Sequence, residues 1–453
     1  MKYSINEYLK KNTEAAPLAV FRIFFGLMML LSIIRFWSYG WIDKLYIEPT
    51  FFFSYYGFDF IKPIEEYTYI IFALCGLSGI FVMIGYKYRI AIITFFLSFT
   101  YIELMDKTTY LNHYYFISIL SFLLIFLPAN AYYSLDAKVR KVSFQEIPNW
   151  TIDCIKLLLG IVYFYAGLAK LNSDWLIKAM PLKIWLPSKY DIPIIGNLMH
   201  KEWLHYTFSY TGAMYDLTIP FLLLFKKTRI FAFVMVVVFH LLTRVLFPIG
   251  MFPYIMIIGT LIFFDHQVHH KILTVISKIF RIDKIKFDTN KTISLHSGHT
   301  KICIGVLSLF FVIQLLLPFR YMLYPGELFW TEEGYRFSWR VMLMEKAGYA
   351  NFKIVDSKTK KRFYVDNDDF LTPFQQKQMA TQPDFIVQYA HYLKNHFANQ
   401  GHKNIQVFVE SYVALNGRLS SQYIDPTVDL GKQEESFKHK TWIIPFKDEI
   451  KGL

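Results

Sequence analysis

A lysine that closes an apolar run is the residue here best suited to chemistry. Lys170 stands at the end of such a run in YFYAGLAKLNSDW (163–175). Lifted out of water, an ammonium is disfavoured, so the free amine becomes available as a base near neutral pH. The ordinary alternative is a lysine that snorkels its head to a membrane interface. In VVVFHLLTRVLFPIGMFPY (236–254), His240 lies in mid-run and Arg244 follows one helical turn later, on a shared face. Pro248 and Gly250 then break the helix where backbone groups could line a cavity. A lone buried histidine can equally be structural, bonded to a neighbouring carbonyl. MDKTTYLNH (105–113) brings Asp106, Lys107, Asn112 and His113 into one short connection, which also reads as a plain polar turn with Asp106 and Lys107 paired. YPGELFWTEEGYRFSWRVMLMEK (324–346) mixes Trp330, Tyr335, Phe337 and Trp339 with Glu332, Glu333, Arg336 and Arg340. Either it is an interfacial aromatic belt, or its rings clamp a flat apolar molecule while the charges orient something polar.

These groups matter because of the solvent their elements imply. The chain has 453 residues, 54% hydrophobic and 19% aromatic, with 18% charged and a mean hydropathy of +0.30. A soluble protein would carry about 25% charge, so lipid is the solvent for much of this chain. The formal charge of +13 falls in short basic runs between apolar segments, the footprint of membrane topology and not of a nucleic-acid groove. Cys75, Cys154 and Cys303 sit singly in apolar stretches, in no metal or redox spacing. No metal is expected. The N-terminus is polar and basic and its first apolar run is long enough to span and stay, so no cleavable signal peptide is expected.

Apolar runs near 17–36, 67–85, 90–107, 113–129, 151–171, 209–225, 230–248, 253–265 and 301–319 predict eight or nine spans, the run at 253–265 being short enough to be re-entrant. With the N-terminus cytoplasmic, about eighteen loop Lys and Arg fall inside against about six outside, as the positive-inside rule requires. The loop over 266–300, with Lys271, Lys278, Arg281, Lys284, Lys286 and Lys291, alternates apolar and basic residues at helical spacing and predicts a helix on the inner membrane surface. Beyond 320 the character changes. NFKIVDSKTKKRFYVD predicts a hairpin, PDFIVQYAHYLKNHFANQG a helix with Phe385, Ile386, Tyr389, Leu393 and Phe397 on one face and Gly401 as cap, and NIQVFVESYVAL and TWIIPF further strands. The fold expected is mainly α: a polytopic transmembrane helical bundle over 1–320, then a small α+β extramembrane domain over 321–453 with a core of its own. On this topology the MDKTTYLNH turn, Lys170, the break after His240 and the aromatic–charged segment all reach the non-cytoplasmic mouth of the bundle. An intramembrane charge is expensive and therefore a functional hypothesis.

DKTTYLNH, YFYAGLAKLNSDWL, FHLLTRVLFPIGMFPY and WTEEGYRFSWRVML, in that order over about 17–346, resemble the vitamin K-dependent γ-glutamyl carboxylases and their bacterial relatives. The resemblance implies an enzyme that oxygenates vitamin K hydroquinone (a reduced menaquinone or phylloquinone) to its epoxide and couples this to carboxylation of a peptide glutamate. Dioxygen and carbon dioxide are the co-substrates. It assigns the initiating base to Lys170, assistance in the oxygenation to His113 beside Asn112, and a further catalytic position to His240. Tyr335, Trp339, Met342 and Arg244 are expected at the quinone, with Asp106, Lys107 and Arg336 in support. The lipid bilayer, an isoprenoid quinone and a glutamate-containing peptide or protein are the implied partners. The site and C-terminal domain are expected on the non-cytoplasmic side, periplasmic in a bacterium and lumenal in a eukaryote. Ala169 stands where animal members carry a first lysine, no cysteine pair matches their disulfide, and the C-terminal domain is far shorter than theirs. Two alternatives stay open: quinone epoxidation without peptide carboxylation, and a non-catalytic membrane binding or transport module with His240 and Arg244 along a path.

Overall fold

A computed structural model describes residues 5–282, 291–292, 297–402 and 404–452. Each of the nine apolar runs forms a helix: α1 (Ala16–Ser38), α2 (Thr68–Ile84), α3 (Tyr88–Met105), α4 (Asn112–Phe126), α5 (Asn149–Leu168), α6 (Glu202–Leu224), α7 (Arg229–Leu246), α8 (Phe252–Gly259) and, after the surface helix α9 (His266–Ile279), α10 (Ser297–Leu316). Helix is the answer to a lipid solvent, since each backbone group is satisfied within its own segment. Among the described residues six helices are long and apolar enough to cross a membrane: those over Ala16–Ser38, Glu65–Ile84, Tyr88–Met105, Asn149–Leu168, Arg229–Leu246 and Lys301–Leu323. Asn112–Phe126 and Phe252–Phe263 are apolar but shorter. α6 has the length but carries Glu202 and Asp216 and begins seven residues before its apolar run. The expected eight or nine spans are thus six by length and composition, with three further helices packed among them.

α9 is the expected amphipathic surface helix, resting Leu273 on Ala16 and Val20 of α1. Lys284 and Lys286 lie outside the described residues. At this end of the bundle a small sheet joins β1 (Asn12–Glu14), β2 (Phe144–Pro148) and β3 (Lys291–Thr292). Here too Arg22 of α1, fully buried, donates to the carbonyls of Ala129 (3.2 Å) and Tyr133 (2.6 Å).

The opposite end carries the C-terminal α+β unit. β4 (Lys346–Asp356) and β6 (Ile405–Leu415) pair antiparallel along their whole lengths, from Lys346–Leu415 to Asp356–Ile405. β5 (Arg362–Tyr364) closes the predicted hairpin and β7 (Ser421–Gln422) the other edge. α11 (Pro373–Met379) precedes α12 (Pro383–Asn399), which buries Phe385, Ile386, Tyr389 and Leu393 as its periodicity requires. Gly401 follows with a left-handed φ of +94°. Two expectations are corrected. TWIIPF forms no strand: Ile443 makes one isolated bridge to Ile424, and Pro445 supplies no N–H to extend it. Nor is the core of this unit its own. Phe53, Ala169, Trp175, Leu182, Leu186, Met199, Ala213 and Leu246, all from the first 320 residues, are buried in the same apolar cluster as Phe352, Phe385 and Val409.

Candidate active site

Lys170 lies just past the end of α5 and is 6% exposed. Its Nζ donates to Asp216 Oδ2 of α6 at 2.7 Å and to the Ala166 carbonyl at 3.1 Å, and sits 5.4 Å from the Trp175 ring centroid. Gly167 makes this meeting possible. A Cβ there would come within 2.8 Å of the Leu217 backbone nitrogen, so only glycine lets α6 approach closely enough to present Asp216. The amine is buried, and it is not solitary. A buried cation and carboxylate at this distance hold each other against the cost of leaving water.

The residues after Lys170 brace it. Asn172 donates from Nδ2 to the Ala169 carbonyl (2.8 Å) and accepts from the Trp175 amide (2.9 Å), while Trp175 Nε1 donates to the Ser209 carbonyl (2.9 Å). Asp174, fully buried, accepts two 2.7 Å bonds from the Arg418 guanidinium and a third from Asn416. Burial pushes the Asp174 carboxyl up, but the hydrogen bonds from Arg418 and Asn416 and the charges of Arg418 and Lys178 more than reverse that and hold it below the usual range. The far end of the chain straps across the same turn: Asn172 bridges Gly452, and the Ser173 amide donates to the Lys451 carbonyl at 2.7 Å.

The two histidines share one aromatic neighbour. His240, 2% exposed, has Nε2 2.9 Å from the Tyr163 hydroxyl and a buried Nδ1 with no protein partner. Its ring centroid is 5.8 Å from Phe252, and His113 lies 5.7 Å from the same ring. Tyr163 in turn packs edge-on against Tyr215, the neighbour of Asp216. A continuous line of contacts therefore runs from Lys170 through Asp216, Tyr215, Tyr163, His240 and Phe252 to His113. Arg244 departs from it. One turn beyond His240 it is exposed on α7, so the shared helix face does not carry it into the interior.

The aromatic–charged segment caps this line. Asn112 Nδ2 donates to the Arg340 carbonyl (3.2 Å), the Tyr110 hydroxyl donates to Asn112 Oδ1 (3.0 Å) and accepts from the Phe337 amide (2.8 Å), and Tyr335 donates to the same Arg340 carbonyl (3.2 Å). Phe337, Trp339 and Met342 all have left-handed φ, at +65°, +59° and +53°. Each such residue costs about 1–3 kcal/mol, and several together commonly mark a functional site. Trp339 is 1% exposed, stacks near Tyr115 (5.2 Å) and has an Nε1 with no protein partner. Met342 is half-buried.

Asp106 and Lys107 are not paired with each other. Asp106 accepts from the Thr108 amide and from Gln375 Nε2, and burial raises its carboxyl to about 6 against the pull of those bonds. Lys107 reaches across to Asp384 (2.8 Å) and Glu435 (3.3 Å). Arg336 binds Asp384 as well, at 2.7 Å, and donates to Gln382. Burial pushes the Asp384 carboxyl up, but Arg336 and Lys107 more than reverse that and hold it far below the usual range. Asp106 and Lys107, just past α3, thus tie the C-terminal unit to the bundle through Gln375, Asp384 and Glu435.

Two apolar hollows lie nearby. One is walled by Tyr165, Ala169, Phe319, Tyr321, Ser338 and Arg340, the other by Phe21, Phe25, Met28, Phe116, Ile255 and Gly259. Lys170 itself lines neither, which revises the expectation of an amine opening directly onto a quinone-sized hollow. Asp216 is the residue sequence reasoning missed. It was findable, being a charged side chain inside an otherwise apolar run of α6.

Residues 10–267, more than half the chain, match the HTTM domain. Residues 299–449 match the vitamin K-dependent gamma-carboxylase, lumenal domain. No solved structure matches the chain. The two matches follow one another as the bundle and the unit clamped to its mouth do, and with them this multi-pass membrane chain belongs to the vitamin K-dependent gamma-carboxylase family.

Proposed function

We propose that this protein is a carboxylase-type membrane enzyme acting on vitamin K hydroquinone, in which Lys170 and Asp216 together form the initiating base. The observation that carries this reading is the buried 2.7 Å contact between the Lys170 amine and the Asp216 carboxylate. Such a pair can hold its proton on either side without changing net charge. Lys170 Nζ takes a proton from a phenolic hydroxyl and passes one to Asp216, leaving an ammonium next to the new negative charge. That arrangement costs less in a dry site than a lone ammonium would.

The residues present fit a flat ring with two oxygens. His240 Nδ1 and Trp339 Nε1 are buried nitrogens without protein partners in otherwise apolar surroundings, and such atoms are normally satisfied by something. His113, Asn112, Tyr335 and Met342 complete the wall on this reading, Asp106, Lys107 and Arg336 support it, and exposed Arg244 is set apart from it. When bound, the hydroquinone supplies the electrons for dioxygen, and the family's chemistry yields its epoxide with carbon dioxide added to a glutamate γ-carbon. The chain's own part is to position, to exchange protons and to exclude water, which would quench any strong base. The C-terminal unit clamped over the mouth serves that exclusion. This reading takes the bundle as residues 1–320 with nine spans, a cytoplasmic N-terminus, and a non-cytoplasmic domain over 321–453.

The test is an assay of purified protein with reduced vitamin K, with and without a glutamate peptide, tracking epoxide and labelled bicarbonate together. Epoxide that disappears in Lys170→Ala supports the base, whereas an unaltered rate removes Lys170 from the mechanism. Label in the peptide supports coupled carboxylation. Epoxide without label gives the narrower activity.

A further inference from the structure

Far from the proposed active site, at the opposite end of the bundle, Glu14, His266 and His270 bring three metal-ligating atoms within 4.8 Å of one another. Each comes from a fixed element. Glu14 ends β1, whose register on β2 is set by Thr13–Ile147 and Glu14–Glu146, and the Ala15 amide next to it donates to the Gln145 carbonyl at 2.7 Å. His266 and His270 stand one turn apart on α9, ring centroids 5.9 Å apart. The Tyr132 ring packs edge-on against His270 at 6.0 Å, fixing that imidazole from behind. His269 lies between them in sequence but points inward, both its nitrogens lying against the carbonyls of Asp265 (3.1 Å) and Leu261 (3.0 Å), so it anchors the helix and leaves the other two to face Glu14.

We infer that Glu14, His266 and His270 form a binding site for a divalent transition-metal ion of the zinc type. Two imidazoles and a carboxylate suit zinc, nickel, copper or cobalt, and suit magnesium or calcium poorly, because those ions prefer all-oxygen shells. Histidines four residues apart on a helix are a natural chelating pair. With metal–ligand bonds near 2.0–2.1 Å, the donors of a tetrahedral site stand about 3.4 Å apart. Glu14 Oε2 and His270 Nε2 are already 3.5 Å apart, so small side-chain rotations, chiefly of exposed His266, close the set. Three protein ligands leave one position for water. A bound ion ties the strand that leads into α1 to the surface helix that rests on it.

Titration of the tag-free, full-length protein in detergent with Zn2+, in competition with a chromophoric chelator, tests this. Co2+ substitution, read by its visible absorption, reports the coordination. One equivalent should bind, and affinity should fall at least tenfold in His266→Ala and in Glu14→Gln. His266 is exposed, so its loss leaves the fold intact. Failure to bind one equivalent, or unchanged affinity in both variants, overturns the site. Lys170→Ala should bind Zn2+ as the parent does, which keeps this test separate from the proposed catalysis.

Discussion

Replacing Asp216 by asparagine probes the proposed base most directly, because it keeps the shape and removes the charge. At 2.7 Å, with both side chains buried, the attraction is about 6 kcal/mol at an effective dielectric of 20. Desolvation offsets much of this, and breaking such a pair from one side costs about 3–5 kcal/mol. Thermal unfolding in detergent should therefore show a lower midpoint for Asp216→Asn, with recovery in the apolar double variant Lys170→Met/Asp216→Leu, where neither charge is stranded. Epoxide formation should fall about 10²–10⁴-fold in Asp216→Asn, the range that positioned acid–base groups supply. The double variant, though stable, should be inactive. A wild-type epoxidation rate in Asp216→Asn would refute the joint base and leave the carboxylate as a structural counter-ion.

Other perturbations test the supports. Gly167→Ala places a methyl group against the Leu217 backbone, pushing α6 outward. Its epoxidation rate should drop about 10²-fold, the scale of an ångström-sized misplacement, and a rate equal to wild type would show that the close approach is not needed. Asp384→Asn leaves Arg336 without a carboxylate and Lys107 with Glu435 alone, and should cost about 3–5 kcal/mol, read as a lower melting midpoint and faster proteolysis at the domain junction. Asp106 titrates near 6 in the fold, above its unfolded value, so the folded state holds the extra proton between the two. Stability should thus decline by about 3 kcal/mol as pH rises from 4 to 6, then level off. Asp106→Asn should flatten that part of the melting-midpoint profile, and parallel profiles would contradict the assignment.

What the sequence made legible follows from how local each signal is. A run of apolar residues states its own solvent, so all nine bundle helices stand where hydropathy put them. The strands β4 and β6 and helix α12 were equally plain from their periods, though the pairing of β4 with β6 was not. Partners distant along the chain were not legible. Lys107 next to Asp106 reads as a local pair, yet its carboxylates are Asp384 and Glu435, chosen by tertiary packing. Asp174 gives no hint that Arg418 will hold it. The composition change near 320 is real, but apolar side chains from loops and helix ends before it fill the core beyond it, and no linear reading reveals a shared core. Arg244 shows the limit of helical periodicity: four residues apart places two side chains on one face without saying how deep that face is buried.

The strap of Lys451 and Gly452 over Ser173 and Asn172 has a consequence for synthesis. These contacts join positions 278 residues apart, so the turn that carries Lys170 leaves the ribosome long before the segment that holds it in place. Helices can enter the bilayer one after another, as domains fold from the N-terminus onward, while the turn stays slack. A nascent or prematurely terminated chain then occupies the membrane with the turn after Lys170 unstrapped, and the proposed oxygen chemistry is expected only once translation has passed residue 452.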